Sequence, residues 1–221
     1  MKLLYSIFIA SAMLFTLTGC AQKPQKPEEI SHKLNKKEMS KLSQATFSAG
    51  CFWHEEALFE SVKGVKEAIS GYAGGRTSDP TYEGIESGST GHAETVNVYY
   101  DSSLISFPTL LQVYFAGQDP TQVNGQGPDQ GTQYRSIAFY RNNAEKIMIE
   151  DYIKKLTSSG KYNKPIAAQV APLTKFWQAE DYHQDYIKHN PGGGYVQNVS
   201  IPEIQHFQRQ YPELIKPDHK Y

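Results

Sequence analysis

The residue with the clearest potential for chemistry is Cys51, which lies in the segment SAGCFW at residues 48–53. Residues 45–48 have the composition of a short strand, and apolar side chains recur at helical spacing after Cys51. A cysteine at the start of a helix lies close to unpaired backbone N–H groups, which favour the thiolate over the thiol. The pattern therefore indicates a nucleophilic thiol, and a buried structural cysteine is the alternative.

A second candidate group is the carboxyl of Glu94, which opens an alternating run predicted as a strand over 94–100. In that strand Glu94 shares a face with Val96 and Val98. Because burial raises the pKa of a carboxyl, such a group can donate a proton near neutral pH. The alternative is a hydrated carboxylate at the frayed end of the strand.

Other combinations of ligating and nucleophilic residues give weaker signals. EDYH at 180–183 contains one Glu-x-x-His half-site of a di-iron bundle, but the second copy is missing. Cys51 can form a hydrolase-type pair with His92 or His183 only if folding brings them together. The glycine runs lack the Lys-Ser/Thr of a phosphate-binding loop. The sequence therefore predicts neither a metal site nor a nucleotide site.

The elements that must position these groups follow the order β-α-β-β-α-β between residues 45 and 140, the split βαβ arrangement of ferredoxin-like sandwiches. We expect an α+β fold, a two-layer sandwich with helices on one face of a mixed sheet and C-terminal additions. These additions are a helix capped by Asn143, a strand over 165–170, a helix over 179–189 and an irregular tail.

The N-terminus has the pattern of an export signal over residues 1–19. Lys2 precedes an apolar run over 3–17 that is too short to span a membrane. LTGC at 17–20 resembles the bacterial lipobox, which predicts that Cys20 carries lipid and anchors the chain in the cell envelope. An ordinary signal with an incidental cysteine is the alternative.

The next region, residues 20–44, is polar and rich in Pro, Lys and Glu, as is typical of a flexible tether. The folded domain is then expected over 45–221. Lys and Arg total 22 against 23 Asp and Glu, a net charge of −1, so no overall positive field attracts nucleic acid. We expect no nucleic-acid partner, and contact with the membrane only through the lipid.

Five ordered motifs resemble those of the A-type peptide methionine sulfoxide reductases. They are GCFWHEE at 50–56, GYAGG at 71–75, GHAETV at 91–96, the loop motif within 119–136, and AE with YHQ at 179–184. The resemblance implies that Cys51 attacks the sulfur of methionine-S-sulfoxide and becomes a sulfenic acid. It assigns catalysis to Cys51, Glu94, Tyr82 and Tyr134, and substrate binding to Phe52, Trp53, Asp129 and His183.

One departure from many family members lies in the tail. They carry resolving cysteines after the region that matches NPGGGY at 190–195, whereas no cysteine follows Tyr195 in this chain. We therefore expect a single-cysteine cycle with no bound cofactor, in which an external thiol, either a thioredoxin-like protein or a small thiol, reduces the sulfenic acid. The substrates are expected to be oxidised proteins of the envelope. Delivery to the outer membrane is favoured because Ala21 replaces the aspartate that retains many lipoproteins at the inner membrane.

Two other functions remain compatible with the residues alone. The first is a thiol peroxidase or cysteine hydrolase that uses Cys51 and is indifferent to Glu94. The second is a lipoprotein without catalytic activity that binds methionine sulfoxide or apolar peptides, in which Cys51 is dispensable.

Overall fold

The computed structural model describes residues 34–221, so the predicted export signal and the lipidation of Cys20 lie outside the described residues. The strands are β1 (Ser43–Ser48), β2 (Val65–Ala73), β3 (Ala93–Tyr100), β4 (Gly125–Gln126), β5 (Asp129–Gln130), β6 (Ile137–Tyr140), β7 (Gln169–Pro172) and β8 (Phe176–Gln178). The α-helices are α1 (Lys36–Met39), α2 (Phe52–Glu60), α3 (Tyr82–Glu86), α4 (Phe107–Ala116), α5 (Asn143–Ser158), α6 (Tyr186–His189) and α7 (Ile201–Gln210).

A six-stranded sheet in the order β7-β6-β1-β3-β2-β8 forms the framework. Its four central strands are antiparallel neighbours, and only β7 pairs in parallel, with β6. Together with α2 and α4, the central strands reproduce the split βαβ order predicted from the sequence. The α+β class and the mixed sheet are therefore confirmed.

The main core lies between this sheet and the helices and is rich in aromatic rings. Phe47 on β1 stacks on Phe59 of α2, with ring centroids 5.3 Å apart, and on Tyr114 of α4, at 4.8 Å. All three side chains are fully buried. Burying rings of this size contributes a large share of the hydrophobic free energy of folding. The helix that begins after Cys51 is thus tied firmly to the sheet.

The helix that follows β3 begins as its sequence predicts. The Ser106 hydroxyl accepts a hydrogen bond from the Thr109 N–H at 3.2 Å, and Pro108 lies in the first turn. The next helix is capped by Asn142 rather than by Asn143, because the Asn142 side chain accepts the Glu145 N–H at 2.9 Å.

The ends of the domain differ more from expectation. The predicted flexible tether over 20–44 includes the short helix α1. Asn35 and Glu38 form a capping box at its N-terminus. It also includes the first two residues of β1. The folded region therefore starts before residue 45.

The predicted helix over 179–189 is wrong. Residues Asp181–His183 form a single 3-10 turn, and α6 covers only Tyr186–His189. Asp185 adopts a left-handed conformation, with φ of 52°, which interrupts any continuous helix. The Gln184 side-chain amide accepts the Ser70 N–H and donates to the Ser70 carbonyl, both at 3.0 Å. It thereby pairs with the backbone of β2 next to β8, as a further strand residue would.

The tail expected to be irregular is also largely helical. A π-helical turn over Val196–Ser200 leads into α7, which buries Ile204 and Phe207. Within residues 34–221, no helix is long and apolar enough to cross a bilayer.

Candidate active site

Cys51 is the N-cap residue of α2, at the junction between β1 and the helix. The preceding Gly50 has φ of +74°, and a Cβ at that position would lie 2.6 Å from Cβ of Gln126. Only glycine fits this turn, because an L side chain would be both strained and in collision. The Gly50 N–H also donates to the carbonyl of Tyr134 at 3.2 Å, which links the cysteine turn to the long loop.

The Cys51 side chain is 8% exposed. Burial and the neighbouring Glu94 carboxyl raise the pKa of the thiol well above its usual range, although the backbone N–H groups of Trp53 and His54 lower it. The helix terminus therefore acts in the predicted direction, but desolvation outweighs it. The expectation of a thiolate in the resting site is wrong, and the resting group is a thiol.

Glu94 is buried on β3, as its alternating strand predicts, and 2% of it is exposed. One carboxyl oxygen, Oε2, accepts the Phe52 N–H at 2.9 Å. Burial raises the pKa of this carboxyl to about 8, against the lowering effect of that N–H. Glu94 is therefore substantially protonated at neutral pH, next to Cys51, as a general acid must be.

The two predicted tyrosines come from different elements and approach the same carboxyl. Tyr82 is the first residue of α3, and Tyr134 ends a 3-10 turn over Thr132–Tyr134. Burial, followed by the charge of Glu94, raises the pKa of both phenols, which keeps them protonated as hydrogen-bond donors. The Tyr134 hydroxyl donates to Glu86 Oε1 at 3.1 Å.

Aromatic rings line the other side of the cysteine. Phe52 is 1% exposed, and its ring centroid lies 4.9 Å from that of His183. The Trp53 Nε1–H donates to His183 Nδ1 at 3.0 Å, and the indole stacks on Tyr186 at 3.6 Å. Burial lowers the pKa of His183 to about 4, so its ring is neutral and can accept that bond. The predicted wall of Phe52 and Trp53 is thus present and fixed in orientation.

Asp129 lies at the hairpin of the long loop, and its carboxylate accepts a hydrogen bond from the Tyr195 hydroxyl. Burial, followed by the charge of the nearby Cys51, raises the pKa of the Tyr195 phenol, which keeps it protonated. The Tyr195 ring also meets Trp53 edge-on, with centroids 6.2 Å apart. The structure therefore brings together all eight predicted site residues of the domain.

Two further residues, Tyr195 and Glu180, contribute to the site, and the sequence alone gives neither of them a role there. The only sequence signal near Tyr195 is the glycine run at 192–194, which marks a turn just before it. The Glu-x-x-His pattern at 180–183 suggests a metal ligand for Glu180. Its carboxylate instead accepts the Tyr72 hydroxyl at 2.7 Å and the Tyr82 N–H at 3.0 Å, so it positions α3.

The two histidines considered as hydrolase partners of Cys51 are bonded to other groups. The His92 ring is bonded to the Gly75 N–H at 3.1 Å and the Thr77 carbonyl at 2.8 Å, and Nδ1 of His183 is bonded to Trp53. No hydrogen bond from either histidine to Cys51 is found. Across the part of the chain that the structure describes, no three His, Cys, Asp or Glu side chains group as a metal site.

Comparison with known proteins identifies the family of this chain. The family model described as peptide methionine sulfoxide reductase matches residues 43–214. The chain is 44% identical over 171 residues to the peptide methionine sulfoxide reductase MsrA of Natronomonas pharaonis, covering 77% of this chain and 96% of the relative. It is 45% identical over 156 residues to that of Geobacter metallireducens, covering 71% and 96%.

Solved structures show the same fold. The reduced form of Mxr1 from Saccharomyces cerevisiae superposes with a TM-score of 0.65 at 33% identity, covering 68% of this chain and 87% of the other. Methionine sulfoxide reductase A of Corynebacterium diphtheriae gives 0.61 at 34% identity, covering 68% and 76%. The chain belongs to the peptide methionine sulfoxide reductase family and is an oxidoreductase that reduces methionine sulfoxide.

Proposed function

We propose that this protein repairs oxidised methionine in envelope proteins through a cycle that uses Cys51 as its only redox cysteine. The observation that carries the proposal is the pairing of a buried Cys51 thiol with a buried, largely protonated Glu94, whose carboxyl is held by the Phe52 N–H at 2.9 Å. A nucleophile and an acid at one point match the two demands of a sulfoxide: attack at sulfur and a proton at oxygen.

The remaining residues fit the shape of the substrate, which is a polar S=O group on an apolar stem. The Phe52 and Trp53 rings offer an apolar wall for the methyl group. The hydroxyls of Tyr82 and Tyr134 lie near Glu94 and can donate to the oxygen as negative charge develops on it. Asp129 and His183 shape and orient the substrate slot.

The chemical step balances without a cofactor. Cys51 sulfur forms a bond to the sulfoxide sulfur while Glu94 protonates the oxygen. The hydroxyl then transfers to the Cys51 sulfur as the S–O bond and the transient S–S bond both break, which releases methionine and leaves a sulfenic acid. The methionine sulfur is reduced by two electrons, and Cys51 is oxidised by two. Glu94 recovers its proton as the thiol proton is lost.

The second half-reaction needs two further electrons from a thiol outside the chain. Cys51 is the one cysteine among the described residues, and Cys20 falls in the predicted lipobox. We assign the reductant to a thioredoxin-like protein or a small thiol, which attacks the sulfenic acid, expels water and then completes the reduction with a second thiol. Lipid on Cys20 would hold the enzyme at the envelope, close to exported substrates.

The test is turnover of a methionine-S-sulfoxide peptide by the full chain with either dithiothreitol or thioredoxin. We expect wild type and Cys20→Ala to have equal rates and Cys51→Ser to be inactive. One equivalent of substrate without reductant should give a sulfenic acid on Cys51 that dimedone traps, seen by mass spectrometry. A Cys20–Cys51 disulfide, or loss of turnover in Cys20→Ala, would refute the single-cysteine cycle. Activity in Cys51→Ser would refute the assignment of the nucleophile.

A further inference from the structure

The hydroxyl of Tyr134 already has a hydrogen-bond acceptor in the resting site. It donates to both carboxyl oxygens of Glu86, at 3.1 Å to Oε1 and at 3.3 Å to Oε2. A phenol carries one proton, so while this bond lasts the proton is not free for a sulfoxide oxygen. The Tyr82 hydroxyl, by contrast, has no hydrogen-bond partner within residues 34–221. The two tyrosines of the site are therefore not equivalent before substrate binds.

Glu86 is held in this place by the helix that also carries Tyr82. These two residues are the first and the last of α3, four positions apart, and therefore lie on the same side of the helix. Ile85, which is fully buried, anchors α3 to the core. Tyr134 is anchored separately, because its backbone carbonyl accepts the Gly50 N–H at 3.2 Å. The bond between Glu86 and Tyr134 thus joins two elements that are each fixed.

The strength of the competing acceptors decides when the Tyr134 proton changes partner. A charged carboxylate accepts a stronger hydrogen bond than a neutral group does. A bound sulfoxide has no net charge before it reacts, so Tyr134 stays with Glu86 in the enzyme–substrate complex. As Cys51 attacks the sulfur, negative charge develops on the oxygen, which then becomes the better acceptor. The bond from Tyr134 to the substrate therefore forms only in the transition state, which is the condition for raising kcat.

We propose that Glu86 is a positioning residue that reserves the Tyr134 hydroxyl for the transition state of sulfoxide reduction. The inference rests on the proposed function, in which both phenols donate to the sulfoxide oxygen. Of the two phenols, only Tyr82 donates to that oxygen in the enzyme–substrate complex. The Tyr134 O–H rotates from Glu86 to the oxygen during the attack, while Glu94 supplies the proton that is transferred. Glu86 stays a carboxylate, and it receives neither a proton nor an electron.

The experiment is a single-turnover measurement on the full chain, with the enzyme in excess over a methionine-S-sulfoxide peptide and the methionine peptide measured after quenching. It gives the rate constant at saturation and the half-saturating enzyme concentration. We expect Glu86→Ala to lower both of them by about three- to tenfold, because the freed Tyr134 then bonds the unreacted sulfoxide. Their ratio should stay within about threefold of wild type, since the transition state keeps the same bond.

Glu86→Gln is the conservative variant, because its amide oxygen can still accept the phenol proton. Both constants should lie closer to wild type than those of Glu86→Ala. Burial does most to raise the pKa of Glu94, and the charge of Glu86 adds to it. Both Glu86 variants should therefore lose rate at a lower pH than wild type does. The other ionisable groups around Glu94 are unchanged in these variants, namely Cys51, Tyr72, Tyr82, Asp129 and Tyr134.

Tyr134→Phe removes the group through which Glu86 acts, so adding Glu86→Ala to it should change neither constant. Glu83→Gln, at an exposed carboxyl on the same helix, is the matched control and should behave as wild type. The inference is overturned if Glu86→Ala raises the half-saturating concentration, if it leaves both constants unchanged, or if its effect persists in Tyr134→Phe. A Tyr134→Phe variant that matches wild type would overturn both this inference and the role of Tyr134 in the proposed function. Cys51→Ser tests the nucleophile independently of either tyrosine.

Discussion

Two regions of the molecule contribute to the active site in different ways. The core, residues 43–140, supplies Cys51 and Glu94. The N–H of Phe52, the residue after Cys51, donates to the Glu94 carboxyl at 2.9 Å and holds it beside the thiol. The C-terminal segment, residues 176–210, supplies His183 and Tyr195, which reach the site through side-chain contacts with Trp53 and Asp129. The comparison indicates that the split βαβ fold holds the reacting pair, whereas the added segment orients and encloses it.

This difference does not mean that the C-terminal segment is loosely attached. Phe207 is 1% exposed and Ile204 is fully buried in the same hydrophobic core as α2. The Gln184 side chain bonds the backbone of Ser70 on β2. The segment is therefore packed into the core, and this packing fixes the position of the side chains that it contributes to the site.

The largest expected effect lies in the core, at Glu94. We expect Glu94→Gln to lower kcat for sulfoxide reduction by about 100- to 10,000-fold, the range for loss of a general acid. Because the pKa of Glu94 is about 8, the wild-type rate should fall as pH rises above about 8, where the acid loses its proton. The variant, which carries no such proton, should lack that fall.

Glu55→Gln is the matched control for Glu94. Glu55 is also buried, and its pKa is raised by burial and by Glu203, but it lies on α2 and is not among the charges that act on Cys51. Its substitution should leave the pH profile unchanged. If Glu94→Gln keeps the wild-type rate, the reacting pair has been misassigned.

The next prediction concerns stability and tests whether the two regions unfold in a single transition. Truncating the buried Phe207 to Ala should reduce the free energy of unfolding by about 3–5 kcal/mol, through lost burial and a cavity. Urea unfolding followed by circular dichroism should still show one transition, shifted to lower urea. Leu104→Ala, at a side chain 63% exposed, should change stability by less than about 0.5 kcal/mol. A separate early transition in wild type would show that the C-terminal segment folds independently of the core.

The smallest effect concerns the orientation of the aromatic wall. His183→Ala removes the acceptor of the Trp53 Nε1–H, at a cost of about 1 kcal/mol, or roughly fivefold. We expect this loss to raise KM for the peptide and to change kcat less. Because the pKa of His183 is about 4, the ring is neutral from pH 6 to 9, and the rise should be constant over that range. A loss confined to kcat would instead place His183 in the chemical step.

The elements that the sequence predicts best are those whose signals are local. The strand of Glu94 alternates along its length, and the helix after Ser106 combines a cap, a proline and an apolar stripe, so both were predicted correctly. The region over 179–189 was not, because its polar side chains serve distant partners. Gln184 bonds Ser70, and Glu180 bonds Tyr72 and Tyr82. Contacts across more than 90 residues leave no periodicity to detect.

By itself, the sequence determined the order of the main strands and helices between residues 45 and 140, the positions of Cys51 and Glu94 within them, and membership of a reductase family. These features depend on motifs and periodicity, which neighbouring residues carry. Only the tertiary structure decided the protonation states of Cys51 and Glu94 and the contact of Tyr195 with Asp129. Burial, and not the helix terminus, sets the pKa of Cys51, and burial depends on every element that packs around it. Tyr195 meets Asp129 across 66 residues, a contact that exists only once the chain has folded.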